Sequence, residues 1–221
     1  HKLLAKERMA SAGIPVPAAW KGGPGAGRFI VKPLWEDASV GIDDGAVVDA
    51  ARVEAALEER GERHGEVFAE AFIEGREFNL SLLADDGGAR CLPPAEIVFR
   101  DWPADKPRIV GYAAKWDEES FECVATPRRF DFPAPDTPLL GRVEELALRC
   151  WDVFGMTGFA RVDVRVDAEG RPFVLEVNAN PCLAPDAGFP AAAARAGLGL
   201  EDIAARLLDD ALRRHRHPVA R

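Results

Sequence analysis

Two strand-like runs in the last third of the chain, GFARVDVRV and FVLEVNANP, place acidic and amide side chains on an otherwise apolar pattern. Side chains two apart share a face of a strand. Arg161, Asp163 and Arg165 then line one face of the first run, with Phe159 on the same side. Glu176, Asn178 and Asn180 line one face of the second, with Leu175 and Val177 turned inward. The intervening DAEGR is short enough to make the runs hairpin neighbours, which brings Asp163, Glu176 and Asn178 together with Arg161 beside them. Two carboxylates and an amide oxygen make an incomplete hard-oxygen site, the kind Mg²⁺ accepts when phosphate oxygens and water supply the rest. An arginine next to it seeks an anion. The same pattern fits a solvated strand face with an Asp–Arg ion pair, and spacing alone does not separate the two. The long loop NANPCLAPDAGFP, directly after the acids, is of the sort that carries function.

Lysines end two other apolar runs: Lys32 closes FIVK and Lys115 closes GYAAK. Each alone fits a surface charge. Together they supply two point charges able to reach a polyphosphate beside the acids. The small residues and Ser39 of WEDASVG, after Lys32, suit a flap whose amides and hydroxyl cover phosphates. No GxxxxGK[ST] loop occurs, and GGPGAG contains a proline and opens no helix, so it reads as a hairpin connection. His1, His64, His215 and His217 stand in terminal or loop contexts without ligand spacing and receive no role.

The elements that must hold these groups follow from periodicity. With 221 residues, the chain can bury a sizeable core. Its net charge of −9 argues against a general affinity for nucleic acid or an anionic membrane. No apolar run approaches the roughly 20 residues of a membrane span, and no signal peptide opens the chain. Four scattered cysteines without a CxxC pair read as reduced thiols in a cytoplasmic protein. The missing initiator Met suggests a segment cut away upstream. Helices are predicted over 2–12, 47–61, 137–155, 190–196 and 200–214, and the tail RRHRHPVAR is predicted to fray. Strands are predicted over 28–33, at the end of the flap loop, and over 66–73, 76–85, 89–99 and 108–116, besides the acidic pair. This order is α+β, with a seam near 74–76.

In sequence order these pieces resemble the ATP-grasp superfamily, and within it the D-alanine–D-alanine ligase-like branch, over nearly the whole chain. HKLLAKERMASAGIPVP is similar to the helix that opens the central subdomain, with Lys2 at a nucleotide-phosphate lysine. FIVKP resembles the strand whose lysine, here Lys32, meets the α and β phosphates, and LWEDASVGI resembles the flap, with Ser39 covering phosphate. VFAEAFIEGREF resembles the hinge that holds adenine. The resemblance implies that Glu70 and the backbone of Ala71 and Ile73 read the base, that Phe72 packs on it, and that Glu77 takes the ribose hydroxyls. GYAAKW resembles the strand-end lysine segment that gives Lys115. GFARVDV and LEVNANP resemble the metal pair, with Asp163, Glu176 and Asn178 for one or two Mg²⁺ (Mn²⁺ as a substitute) and Arg161 for the acyl phosphate and oxyanion.

The implied fold is a two-lobed domain, residues 1–74 holding nucleotide and 75–221 holding metal and catalytic groups, with the cleft between. The implied reaction activates a carboxylate with ATP as an acyl phosphate, which an amine then attacks. Amino-acid or peptide substrates, a preceding domain upstream and a homodimer belong to the same implication. Four features depart from the pattern. The chain opens where a preceding domain normally ends. Ala38 and Trp116 replace a serine and a tyrosine that lock the flap. Cys182 replaces a glycine whose amide completes the oxyanion hole, and is read as passive. APDAGFP replaces a serine-rich carboxylate-binding turn, with Asp186 expected to attract an amine. These departures point to a substrate other than D-alanine. The alternative from a different class is an ATP-binding module without ligase activity that serves a regulatory or partner-binding role.

Overall fold

The β-branched and aromatic runs form nine strands in two antiparallel sheets in the computed structural model, which describes residues 1–23, 25–85 and 88–216. The smaller sheet has the order β2–β1–β3, from β1 (Arg28–Pro33), β2 (Val47–Asp49) and β3 (Val67–Ala71). The larger, six-stranded sheet centres on β4 (Arg76–Asp85) and β8 (Phe159–Val166), with β9 (Pro172–Asn178) beyond β8. On the other edge of β4 lie β5 (Gly88–Cys91), β6 (Ala95–Ile97) and, outside β6, β7 (Arg128–Arg129).

Helix α1 (Lys2–Ser11) and the long α5 (Thr137–Phe154) cover one face of the large sheet. Met9 and Ile14 share a core with Phe78, Leu80, Val143, Cys150, Val162 and Val164. The stripe read along 137–155 is the buried stripe of α5, and Gly155 closes the helix at φ 58°, a left-handed cap that glycine adopts without a Cβ penalty. Helix α2 (Val53–His64) packs on the small sheet through Val53 and Ala56. Helices α6 (Gly188–Arg195) and α7 (Leu200–Arg216) cover the far end of the large sheet through Phe189, Ala192 and Ile203.

Several expectations are corrected. Helix 47–61 begins only at Val53, because Val47–Asp49 pairs with β1 and a 3₁₀ turn intervenes, and it runs past Gly61 to His64. The strand expected over 108–116 is absent: residues 108–111 are irregular, and Tyr112–Trp116 is a short helix, α3, followed by α4 (Phe121–Val124). The flap loop ends in turns rather than a strand. Pro93 and Pro94 split 89–99 into two short strands, since proline cannot donate to a ladder. GGPGAG, which includes the undescribed Pro24, is no hairpin: its flanks, Ala19 and β1, pair with opposite edges of β3. The tail expected to fray lies, from 217 onward, outside the described residues, as does His217.

Candidate functional site

The hairpin of β8 and β9 forms with Asp163 opposite Glu176 and Arg161 opposite Asn178. Along β8, Ala160, Val162, Val164 and Val166 fill the core, while Arg161, Asp163 and Arg165 take the other face. The register slips between Asp163 and Val164. This bulge turns Val174 and Val177, rather than the expected Leu175, onto the core, and Leu175 offers its carbonyl to Lys6 Nζ at 2.8 Å.

Asp163 is buried and crowded with donors. Arg161 grips it with Nε to Oδ1 at 2.7 Å and Nη2 to Oδ2 at 2.8 Å, and Asn79 of β4 donates to Oδ1 at 2.9 Å. Burial pushes its carboxyl up, Arg161 pulls it down, and the net lies below the ordinary value. Glu176 goes the other way, raised by burial and then by the charge of Asp163. An ionised carboxylate has about four acceptor positions; Arg161 and Asn79 take three of those on Asp163, and the Glu176 carboxyl hydrogen-bonds there as well. Among the described residues no three His, Cys, Asp or Glu side chains converge on an ion position. A buried and a half-buried carboxylate facing each other nevertheless suit a divalent cation, which would relieve their repulsion and take its other ligands from phosphate and water. Asn178 Oδ1 accepts the Asn180 N–H at 2.9 Å, which turns it toward the loop but leaves it a second lone pair.

Glu70 holds two lysines. Its carboxylate, with 0% exposure, lies 2.7 Å from Lys32 Nζ through Oε1 and 2.7 Å from Lys6 Nζ through Oε2. Burial raises its pKa, but Lys32 and Lys6 outweigh that and hold it low. Burial lowers Lys6. The carboxylate expected at the base is thus engaged by lysines. Lys32 sits where β1 runs along β3, and its charge reaches Glu176, as does that of Lys115. Lys115 lies on α3, not at a strand end, and makes no ion pair among the described residues. Lys2 donates from Nζ to the Glu36 carbonyl at the start of the flap.

The flap is latched. Ala38 and Ser39 both take left-handed backbone, φ 56° and 63°, a conformation unfavourable for residues with a Cβ and held here by bonds from the 110–116 segment. Ser39 Oγ donates to the Val110 carbonyl at 2.8 Å, Tyr112 N to that of Ile42 at 2.9 Å, and Trp116 Nε1 to that of Ala38 at 2.9 Å. Trp116 and the Ala38 backbone therefore tie the flap across the positions whose side chains depart from the family pattern.

At the hinge, Ala71 N–H is spent on the Ala18 carbonyl, and Phe72 lies between the guanidinium groups of Arg28 and Arg165 at 5.0 and 5.3 Å. Phe72 packs with Ile30, Ile42 and Ile109. Arg165 donates to Glu77 Oε2 from Nε at 3.0 Å and Nη2 at 2.7 Å, and to the Ile73 carbonyl at 2.9 Å. Glu77, expected at the ribose, is therefore oriented by the arginine opposite it on β8.

Sequence reasoning missed Lys6, Asn79, Arg165 and Arg128. Lys6 was legible as the residue one helical turn beyond Lys2, and Asn79 as the polar alternate of Glu77 in REFNLSLLAD. Arg165 stood on the right face without a role. Arg128 occupies a two-residue strand that no periodicity marks.

Against known proteins, the family model described as D-ala D-ala ligase C-terminus matches residues 28–209. The chain belongs to that family. A D-alanine–D-alanine ligase of Cupriavidus pinatubonensis is 32% identical over 188 residues, which cover 82% of this chain and 53% of the relative. One from a Synechococcus strain is 30% identical, covering 98% of this chain and 67% of the relative. The crystal structure of the Bacillus anthracis D-alanine–D-alanine ligase complexed with ATP superposes with a TM-score of 0.72 at 23% identity, over 99% of this chain and 67% of that one. The fold is thus that of the ATP-grasp ligases. The chain spans about half to two thirds of the length of the relatives it matches.

Proposed function

We propose that this chain is the nucleotide- and metal-binding part of an ATP-dependent carboxylate–amine ligase acting on amino acids or small peptides. The observation that carries the reading is the pairing of buried Asp163 with half-buried Glu176, in register, with Arg161 on Asp163 and the charges of Lys32 and Lys115 within reach. A bare carboxylate pair is unfavourable to bury. A polyphosphate carrying a divalent cation supplies both the cation for the acids and the anions for the lysines.

In this reading the lobes divide near residue 74, with α1 bridging from the first onto the large sheet of the second. Lys2, Lys32 and Lys115 bind phosphates, the flap with Ser39 covers them, and Phe72 with the Ala71 and Ile73 backbone frames the base. Glu70 aims Lys6 and Lys32, and Glu77, oriented by Arg165, faces the ribose. Asp163, Glu176 and Asn178 would hold Mg²⁺, which would supply positive charge against the transferring phosphoryl group. Arg161 has donors left beyond those on Asp163 for the acyl phosphate and for the oxyanion formed on amine attack, where the Cys182 amide joins it. A latched flap keeps water from the acyl phosphate. A preceding domain that completes the first substrate's pocket, a homodimer and a cytoplasmic setting complete the proposal. No described helix is long and apolar enough to cross a membrane.

The test is ADP release with a panel of amino acids, using the longest natural form of the protein that carries this chain. Stimulation by a pair of amino acids supports the ligase. Binding of Mg²⁺-ATP with no stimulation by any of them ends the assignment.

A further inference from the structure

Arg128 has no task in the reading above, and its surroundings suggest one. Its neighbour Arg129 is paired with Glu96, and Arg161 is paired with Asp163, but Arg128 has no carboxylate partner among the described residues. Its hydrogen bond runs from Nη1 to the Asp186 carbonyl, 3.1 Å away, in the loop that leaves the metal strand. The side chain lies close against Gly188, where a β-carbon would stand 3.3 Å from Nε. A guanidinium presents five N–H donors in a rigid fork, and most of those on Arg128 remain free among the described residues. Burial and then the like charge of Arg161 disfavour its charged form. The Asp163 carboxylate is taken by Arg161, and Asp186 reaches Arg128 by its charge without an ion pair, so the Arg128 fork can take an anion of its own. The loop itself offers that anion little, since Ala187 and Gly188 carry neither hydroxyl nor cation.

We propose that Arg128 is a specificity-determining residue that anchors the free carboxylate of the acceptor amino acid, so that the loop's missing hydroxyls are replaced by a cation from β7. The Asp186 carbonyl aims the guanidinium. The acceptor's amino group is left facing the donor beside Arg161. This inference rests on the ligase reading for the identity of its ligand.

The experiment is calorimetric titration of D-alanine, L-alanine and glycine, each beside its carboxamide, into the protein with Mg²⁺, ADP and phosphate present. Wild type is expected to prefer an acid over its amide by about 10- to 100-fold, the range for one charge-assisted hydrogen-bonded contact. Arg128→Gln should erase the preference, and Arg128→Lys should restore part of it. Gly188→Ala, which crowds Nε, should weaken the acid and spare the amide. Equal binding of acid and amide to wild type, a preference that survives in Arg128→Gln, or no binding of any of the three acids overturns the proposal. The ligase reading fails by a different sign, the absence of amino-acid-stimulated ADP release in wild type. ADP release that responds to amino acids but ignores Arg128→Gln keeps the ligase and removes Arg128.

Discussion

Replacing Glu70 by Gln tests the charge arrangement at the heart of the cleft. The carboxylate is fully buried and meets Lys6 and Lys32 at 2.7 Å each. Gln keeps the shape and one acceptor but removes the charge, leaving Lys6, only 6% exposed, without an anion. Breaking a buried pair by removing one partner costs about 3–5 kcal/mol. Lys32, whose side chain is 16% exposed, can turn toward solvent, which favours the lower end of that range. In a chain of this size each kcal/mol moves Tm by about 2–4 °C, so the midpoint should fall by roughly 6–12 °C at neutral pH. The pH dependence has a definite sign. Burial already lowers the Lys6 pKa from its usual 10.5, and loss of Glu70 lowers it further. Below 10.5 the unfolded chain then binds more protons than the folded one, so the variant gains stability as pH rises through that window. Circular-dichroism melts at pH 7 and near pH 9.5 should show the deficit shrinking. Lys6→Met added to Glu70→Gln should recover part of the loss. If the two substitutions add to within about 0.5 kcal/mol, the lysine and the carboxylate are uncoupled and the reasoning is wrong.

Other consequences can be checked independently. Glu176→Gln should leave the melt of the free protein unchanged or raise it slightly, because it removes a half-buried charge facing Asp163, while the Mg²⁺-dependent thermal shift with ATP, roughly 3 kcal/mol at 100 times Kd, should be lost. Gly75→Ala should abolish soluble expression or cost several kcal/mol by urea titration, since Gly75 has φ 148° and a β-carbon there would stand 2.0 Å from the Val166 carbonyl oxygen. Gly141→Ala should act in the opposite direction: the site lies inside α5 with nothing within 4 Å, and Ala should stabilise by about 0.5–1 kcal/mol in the same titration. Trp116→Phe should lose the bond to Ala38 and speed proteolytic nicking of the flap by about 5- to 10-fold, with Mg²⁺-ATP protecting; unchanged nicking would mean the latch does not hold the flap.

The hairpin was legible because period-two alternation and a short turn fix both strands and their register to within the bulge. That bulge was not legible: no residue type marks it, and it reassigns Leu175 from core to cleft while leaving Glu176 in place. Helix α5 and β4 were readable from patterns long enough to be unambiguous. The region 108–124 was not, because RIVGYAAKW alternates weakly and its helix is set by tertiary bonds to the flap. Of the residues placed by motif, Arg161, Lys32 and Lys115 lie within electrostatic reach of the acids, but the partners of the others were not foreseeable. That Glu70 would sit on Lys6 depends on α1 packing across onto β9, a contact between segments far apart in the sequence.

Those partners bear on how the cleft works without substrate. Each main cation or anion of the site has an internal counterion: Lys6 and Lys32 on Glu70, Arg161 on Asp163, Arg165 on Glu77. Buried charges demand this, since an unpaired one costs several kcal/mol. The exceptions among the described residues are Glu176, which hydrogen-bonds to Asp163 but has no ion-pair partner, Lys115, whose charge reaches Glu176 without an ion pair, and Arg128 at the acceptor loop. Incoming ligands therefore need not break the paired set. In the proposed reading a metal would join Glu176, a phosphate would join Lys115 and a carboxylate would join Arg128, each closing a charge left open. The paired residues fix geometry, and the open ones set affinity. Substituting an open residue should thus change ligand binding with little change in Tm, whereas substituting a paired residue should change both. If Lys115→Met lowered Tm by as much as Glu70→Gln, that division would not hold.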